Sequence, residues 1–382
     1  MAATLLLAAS ACGVETEEHT TVQDIASARW IQPHLDTLHR QGITGLLAEF
    51  HVRHHRSVAR AGVARLDEPA PVPWNARFRM GSNTKTFVAV VVLQLVGEGK
   101  LSLDDSVERW LPGVVSGNGY DPAHITVRQL LQHTSGIYNY TRDIFEGFSL
   151  EYFLAMRFEH VDAASLVAMA MRHAPDFPPG TSWDYSNTNY TLAGMIIERV
   201  TGNDWATEVR TRILRPLRLR DTSEPGDRAE LPAPHAQAYE PFTATGPLTD
   251  VTLMNHSWGG AAGSLITTTA DLTRFWRELR RGTLLRPAEM AEMHRTVEAT
   301  TLQGPLPGAR YGLGIMQLPT SCGEPYWTHF GDTLGFATRN AVSDDGARVM
   351  VLSLSSQPRA ESAVSVTTDT LELLDDAMCV AR

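Results

Sequence analysis

The sequence predicts an α+β protein, an antiparallel β-sheet flanked by N- and C-terminal helices with an all-α lobe inserted into it. Three observations carry this. Strand patterns gather at residues 45–66 and again at residues 311–354, close to the two ends of the chain. The segment between them, residues 101–253, reads as helices, turns and Pro-rich connectors. Helical patterns precede the first strands and follow the last ones, so both ends of the chain build one sheet lobe. The expected organisation is a leader and tether at 1–24, a sheet lobe from 25–100 and 254–382, and a helical lobe at 101–253, with a site between the lobes.

Ile31, Leu35 and Leu38 stand at helical spacing and give the first helix. Residues 45–52 and 57–66 alternate in polarity and predict a hairpin, and residues 78–80 a short strand. Residues 87–96 are apolar nearly all round, the pattern of a helix buried on every side. Strands are predicted again at 311–318, 326–329, 336–341 and 349–354, with Asp345-Gly346 as the turn between the last two. Val364, Leu371, Leu374 and Met378 then mark a final helix.

A chain of 382 residues, 43% hydrophobic, can bury substantial cores. Its 33 basic and 43 acidic residues leave a formal charge of −10, without blocks of like charge, which argues against nucleic acid or an anionic membrane surface as partner. No internal stretch approaches the length of a spanning helix. The opening "MAATLLLAASACG" resembles the end of an export signal without a basic n-region. Export is expected, either lipid-anchored through Cys12 or with cleavage after Ala11. Cys322 and Cys379 remain as an even pair that an oxidising compartment allows to bridge, or as two separate thiols. His51, His54 and His55 are better read as solvated imidazoles at a strand end than as metal ligands. No nucleotide fingerprint or paired zinc ligands occur, so neither metal nor cofactor is expected.

The chemistry centres on "GSNTKTF". The chain has only two lysines, Lys85 and Lys100, and everything else basic is arginine. Residues i and i+3 of a helix face the same side, so Ser82 Oγ and Lys85 Nζ can meet. A serine hydroxyl needs an adjacent base, which a desolvated lysine can be and an arginine cannot. Ser82 at a helix N-terminus also has free N–H groups and positive dipole beside it. Ser-x-x-Lys alone is weak evidence. Tyr185-Ser186-Asn187 and His329-Phe330-Gly331 strengthen it by supplying a phenol, an amide and an imidazole downstream.

With "ITVRQLLQHTSGIYNYT", "YSNTNYTLAGMIIERVTG", "AGSLITTTADL", "YGLGI" and "HFGDTLGF" in order, the chain resembles the penicillin-recognising serine hydrolases from about residue 25 to 379. Within that group it is most similar to actinobacterial D-alanyl-D-alanine carboxypeptidases. The resemblance implies a β-lactamase/transpeptidase-like fold in which Ser82 is the nucleophile. Lys85 and Tyr185 would carry protons, Asn187 would orient Lys85 and substrate, and His329 would position Tyr185. The backbone N–H groups of Ser82 and Asp332 would form an oxyanion hole, Trp258 would wall the cleft, and Phe330, Gly331, Thr333 and Met316 would line the substrate site. It also implies a Cys322–Cys379 disulfide, a peptidoglycan stem peptide or other small acyl substrate, β-lactams as covalent inhibitors, and a monomer.

Carboxypeptidases of this kind usually have threonines after the His and after the Gly, and a basic residue just after "YGLG-x". Here those positions hold Phe330, Asp332 and Met316. Two donors and a cation for a substrate carboxylate are lost, and an acid is gained. The readings left open are a D-Ala-D-Ala carboxypeptidase with altered leaving-group preference, an esterase, amidase or D-aminopeptidase, and a β-lactamase or a penicillin-binding protein that does not turn over.

Overall fold

The computed structural model describes Asp24 and residues 27–379, so the expected leader, with Cys12, lies outside the described residues. Helix α1 (Gln32–Arg40) buries Leu35 and Leu38 and packs on the hairpin β1 (Gly45–Val52) and β2 (His55–Gly62). This hairpin is tighter than expected. Val52 pairs with His55, leaving only Arg53 and His54 in the turn, and Arg53 takes up the left-handed conformation at φ 55. His51 is therefore a strand residue, bonded to Glu49 and Arg277.

β3 (Phe78–Arg79) pairs with β6 (Ile266–Thr267) and stays outside the main sheet. It leads into a 3₁₀ turn (Gly81–Asn83) and helix α2 (Thr84–Gly97). Every residue of α2 from Thr84 to Leu93 is buried, as its unbroken apolar run requires. Between α2 and β6 the regular structure is mostly helical, joined by long turns, and α3 (Asn187–Thr201) is its central member, packed on α2. It is not helical throughout, because β4 (Tyr239–Glu240) and β5 (Thr249–Asp250) form a short ribbon.

After α4 (Thr269–Arg280) come β7 (Val297–Glu298), β8 (Arg310–Tyr311), β9 (Met316–Leu318), β10 (Tyr326–Thr328), β11 (Gly331–Thr333), β12 (Phe336–Val342) and β13 (Arg348–Leu354). Among the described residues the main sheet has nine strands, in the order β2-β1-β13-β12-β10-β9-β8-β7 with β11 also on β12. β13 thus pairs with β1 and joins the two ends of the chain. Residues 311–318, expected as one strand, form a hairpin in which Tyr311 pairs with Met316. Gly314, at φ 71, lies so near the Ala89 side chain and the Tyr190 hydroxyl that an added Cβ would clash with both. Helix α5 (Ala363–Cys379) closes the fold on α1, β12 and β13, and Cys379 is disulfide-bonded to Cys322. No helix among the described residues is long and apolar enough to cross a membrane.

Candidate active site

Ser82 stands in the 3₁₀ turn where β3 passes into α2. Gly81 holds this turn open at φ 52, and a Cβ there would come within 2.9 Å of Asp332 N and 2.8 Å of Asp332 O. The absence of a side chain lets the backbone of β11 run directly past the serine. A second tie comes from Asn340 on β12, whose Nδ2 donates to Asn83 Oδ1 at 2.6 Å and to His329 O at 2.7 Å.

Lys85, one turn on, is fully buried. Its Nζ lies 3.1 Å from Ser82 Oγ, 2.6 Å from Asn187 Oδ1 and 2.7 Å from Ala262 O. Asn187 is the first residue of α3, and Ala262 belongs to the small-residue turn "GGAAGS". Two of the three neighbours are carbonyl oxygens and can only accept. A neutral amine has two N–H groups for them and one lone pair, and that lone pair then faces the Ser82 hydroxyl. Burial pushes the Lys85 pKa well below its ordinary value, which favours this neutral form.

Tyr185 is half-buried with its hydroxyl turned fully inside, and its ring lies 4.8 Å under Lys85 Nζ. Burial raises the pKa of its phenol, so the hydroxyl keeps its proton, and that hydroxyl has no hydrogen-bond partner among the described residues. His329 sits between β10 and β11, which both pair with β12. Its Nδ1 meets Phe330 O at 2.7 Å and its Nε2 meets Tyr311 OH at 2.8 Å. A carbonyl cannot donate, so Nδ1 carries the proton and Nε2 accepts from Tyr311. Burial lowers the His329 pKa to about 3 and keeps the ring neutral. The expectation that His329 positions Tyr185 is corrected here. Its hydrogen-bond partner is Tyr311, and it meets Tyr185 only ring to ring, at 6.4 Å between centroids.

A cleft of about 520 Å³ opens above Ser82. Asn187, Trp258, Asp332 and Thr333 wall it, together with Glu240 and Phe145. Trp258 meets the ring of Phe145 edge-on at 5.7 Å, while Thr333 Oγ1 is bonded to His256 Nε2 at 2.9 Å. Three expected substrate contacts lie elsewhere. Met316 is buried in the core between sheet and terminal helices, because the tight β8–β9 hairpin sets it opposite Tyr311. Gly331 is pressed against Met80 O, and Phe330 packs beneath the Arg339 guanidinium at 5.2 Å. The Asp332 carboxylate also differs from expectation. It is half-exposed and paired with Arg339 at 2.8 Å, so it is not a lone acid.

Sequence reasoning did not single out Tyr311, Asn340, Ala262, His133, His256 or Glu240. His133, Ala262 and Tyr311 lie within the segments "ITVRQLLQHTSGIYNYT", "AGSLITTTADL" and "YGLGI", whose partners only the folded chain reveals. His133 is buried beside Tyr185, with ring centroids 4.3 Å apart, and accepts from Ser186 N and Asn189 Nδ2. Glu240 had no motif around it.

Residues 28–375 match the Beta-lactamase family. A D-stereospecific amidohydrolase from Streptomyces sp. superimposes with a TM-score of 0.83 and 40% identity, over 92% of this chain and 98% of that one. A D-amino acid amidase from Ochrobactrum anthropi SV3 does so with a TM-score of 0.77 and 25% identity, over 91% and 98%. Penicillin-binding protein 4 of Amycolatopsis lactamdurans is 32% identical over 221 residues, 57% of this chain. The chain spans 54% of that relative's length and 33% of another curated relative, penicillin-binding protein 4* of Bacillus subtilis. The fold, the serine–lysine pair at its centre and a family match over nearly the whole described chain agree, and the protein belongs to the β-lactamase family of serine hydrolases.

Proposed function

We propose that this chain is a D-stereospecific amidohydrolase that releases an amine from a small D-configured acyl amide through an acyl-enzyme on Ser82. The observation that carries the reading is the charge of the cleft. Among the described residues that wall it there is no lysine or arginine, Asp332 stands there as an acid, and the Arg339 guanidinium is engaged by Asp332. A substrate ending in a free carboxylate finds no cation there, whereas an amide loses nothing. The 40% identity to a D-stereospecific amidohydrolase supports the same choice, and the D-configuration is taken from that relative.

In this reading Lys85 Nζ takes the Ser82 proton as Oγ attacks the substrate carbonyl carbon. The carbonyl oxygen becomes an oxyanion held by the N–H groups of Ser82 and Asp332. When the C–N bond breaks, Tyr185 gives its proton to the departing nitrogen and regains one from Lys85. Water then cleaves the Ser82 ester by the same route in reverse. Asn187 and Ala262 keep the lysine lone pair aimed throughout. The bridged Cys322 and Cys379 support a place of work outside the reducing cytoplasm.

The test compares kcat/KM on D-alanine amide, L-alanine amide and a peptide ending in free D-Ala-D-Ala, with Ser82→Ala as blank. The D-amide should lead the L-amide, as the D-stereospecific relative suggests, and should lead the D-Ala-D-Ala peptide by at least about tenfold, a difference that one mispaired charge supplies. A lead for the D-Ala-D-Ala peptide would return the chain to the carboxypeptidase reading, which its likeness to penicillin-binding protein 4 favours.

A further inference from the structure

Glu240 ends the short strand β4 and reaches into the wall of the Ser82 cleft. One carboxylate oxygen, Oε2, accepts the Gly335 N–H at 2.8 Å. Its other oxygen has no partner among the described residues, and no cationic side chain among them pairs with it. Asp332, in the same cleft wall, is by contrast satisfied by Arg339. A largely buried carboxylate without a counter-charge is costly to keep, and burial first, then the Asp332 charge, raises its pKa to about 7. Gly335 N–H partly offsets this.

Its position says which part of a substrate it meets. Asp332, Thr333 and Leu334 run from the Ser82 turn to Gly335, where Glu240 is anchored, and all three wall the cleft. Lys85 and Tyr185, which move protons in the proposed mechanism, are not among the residues that wall the cleft with Glu240, and Tyr185 packs toward Tyr311 and His329. A leaving group departs beside the group that protonates it. The acyl half therefore extends the other way, into the space between Glu240 and the apolar surface of Phe145, Trp258 and Leu334.

We infer that Glu240 is a specificity-determining residue that binds a primary ammonium on the acyl half of the substrate, so that the enzyme takes unblocked α-amino acyl groups in preference to N-acylated ones. This rests on the amidohydrolase reading of the Ser82 site and adds the chemistry of the acyl group. An ammonium supplies the missing counter-charge and a donor for the free oxygen, while the α-carbon substituent faces the apolar wall. An N-acetyl group does neither and leaves the carboxylate desolvated against an uncharged amide.

Two measurements at pH 7.5 decide it. The first is kcat/KM on D-alanyl 4-nitroanilide and on its N-acetyl derivative. The second is protection of Ser82 from a fluorescent fluorophosphonate by D-alanine amide and by N-acetyl-D-alanine amide, which needs no amide turnover. The wild type should favour the unblocked compound by at least about tenfold in both, the scale expected for a desolvated charge pair. Glu240→Gln keeps an acceptor for Gly335 N–H, so it should lose that preference in both measurements. Asp332→Asn should retain the preference. A wild type without the preference overturns the inference whether or not the variant folds, and so does a Glu240→Gln enzyme that keeps it. If neither anilide is hydrolysed, the amidohydrolase reading fails, and the protection assay still decides the role of Glu240.

Discussion

Asn187 Oδ1 lies 2.6 Å from Lys85 Nζ, at the first residue of α3, and shares the lysine with the carbonyl of Ala262. Two fixed acceptors take two N–H groups and leave one direction, toward Ser82. Asn187→Asp keeps shape and reach but sets a negative charge at the same spot, which favours the ammonium and raises the Lys85 pKa. The base form is present above that pKa, so the rising limb of kcat/KM against pH should move to higher pH. At pH 7 the rate should fall by about a hundredfold, within the range of general-base catalysis. An unmoved limb would show that Lys85 is not the titrating base.

Lys85→Arg tests the same point without touching Asn187. Arginine stays charged, and here it would be charged while fully buried among carbonyl oxygens. Acylation of Ser82, followed as covalent penicilloyl adduct by mass spectrometry, should slow by at least about a hundredfold. The melting temperature should fall as well, because arginine cannot shed its charge as the buried lysine does. An arginine variant that acylates near the wild-type rate would leave Lys85 a structural cation.

Much of this was legible in the sequence, and the reason is local. Ser82 and Lys85 are three residues apart, so their meeting follows from helix geometry alone. The apolar run of α2, the Asp345-Gly346 turn and the helix around Leu371 and Leu374 are likewise patterns within one element. The errors are of another kind. Met316 follows "YGLGI" by one residue, but the Gly312–Gly314 turn folds it back against Tyr311 and into the core. Asp332 looked like a lone acid until β12 placed Arg339 beside it. Glu240, more than 150 residues from Ser82 in sequence, reaches the cleft through tertiary packing that no spacing encodes.

Tyr311→Phe should separate positioning from chemistry. It removes the hydroxyl that His329 Nε2 accepts from and leaves a buried imidazole nitrogen unpaired. That omission costs about 1–3 kcal/mol. Urea unfolding should show a loss of this size. His329 keeps its Nδ1 proton on Phe330 O but loses the tie that holds its ring beside Tyr185, so kcat should fall while KM on the amide substrate stays close to wild type. A pure loss of stability with unchanged kcat would reduce Tyr311 to a packing residue.

Glu49 gives a pH dependence with a definite sign. It is buried in β1, and although burial alone would raise its pKa, the His51 hydrogen bond and the Arg56 charge bring it down to about 2. The folded pKa lies below the unfolded one. The stabilisation is therefore complete above the unfolded carboxyl range and is lost as pH falls from about 4.5 through about 2. A shift of this size corresponds to roughly 3 kcal/mol. Glu49→Gln should be less stable than wild type by a constant amount above pH 5, with the gap closing below pH 4. A gap independent of pH down to pH 3 would mean that the carboxylate charge does not contribute.

The Cys322–Cys379 bridge ties the loop between β9 and β10 to the last residue of α5. It closes a loop of 57 residues, and constraint of the unfolded chain on that scale is worth about 4 kcal/mol in the chain-entropy account. A non-covalent tie stands next to it, because Ser321 N donates to Asp375 Oδ1 at 2.8 Å and α5 remains packed on α1 and β12. The double variant Cys322→Ser, Cys379→Ser should therefore fold and keep its kcat/KM at 25 °C, since neither cysteine is among the residues that wall the Ser82 cleft. Its urea midpoint should fall by the amount the entropy loss requires, and the wild type treated with reductant should move to the same midpoint. A reductant-insensitive wild type with two free thiols by titration of the denatured chain would refute the bridge. A variant that folds but has lost activity would instead show that α5, whose first residue Ala363 borders the cleft, transmits the anchoring of its far end to the site.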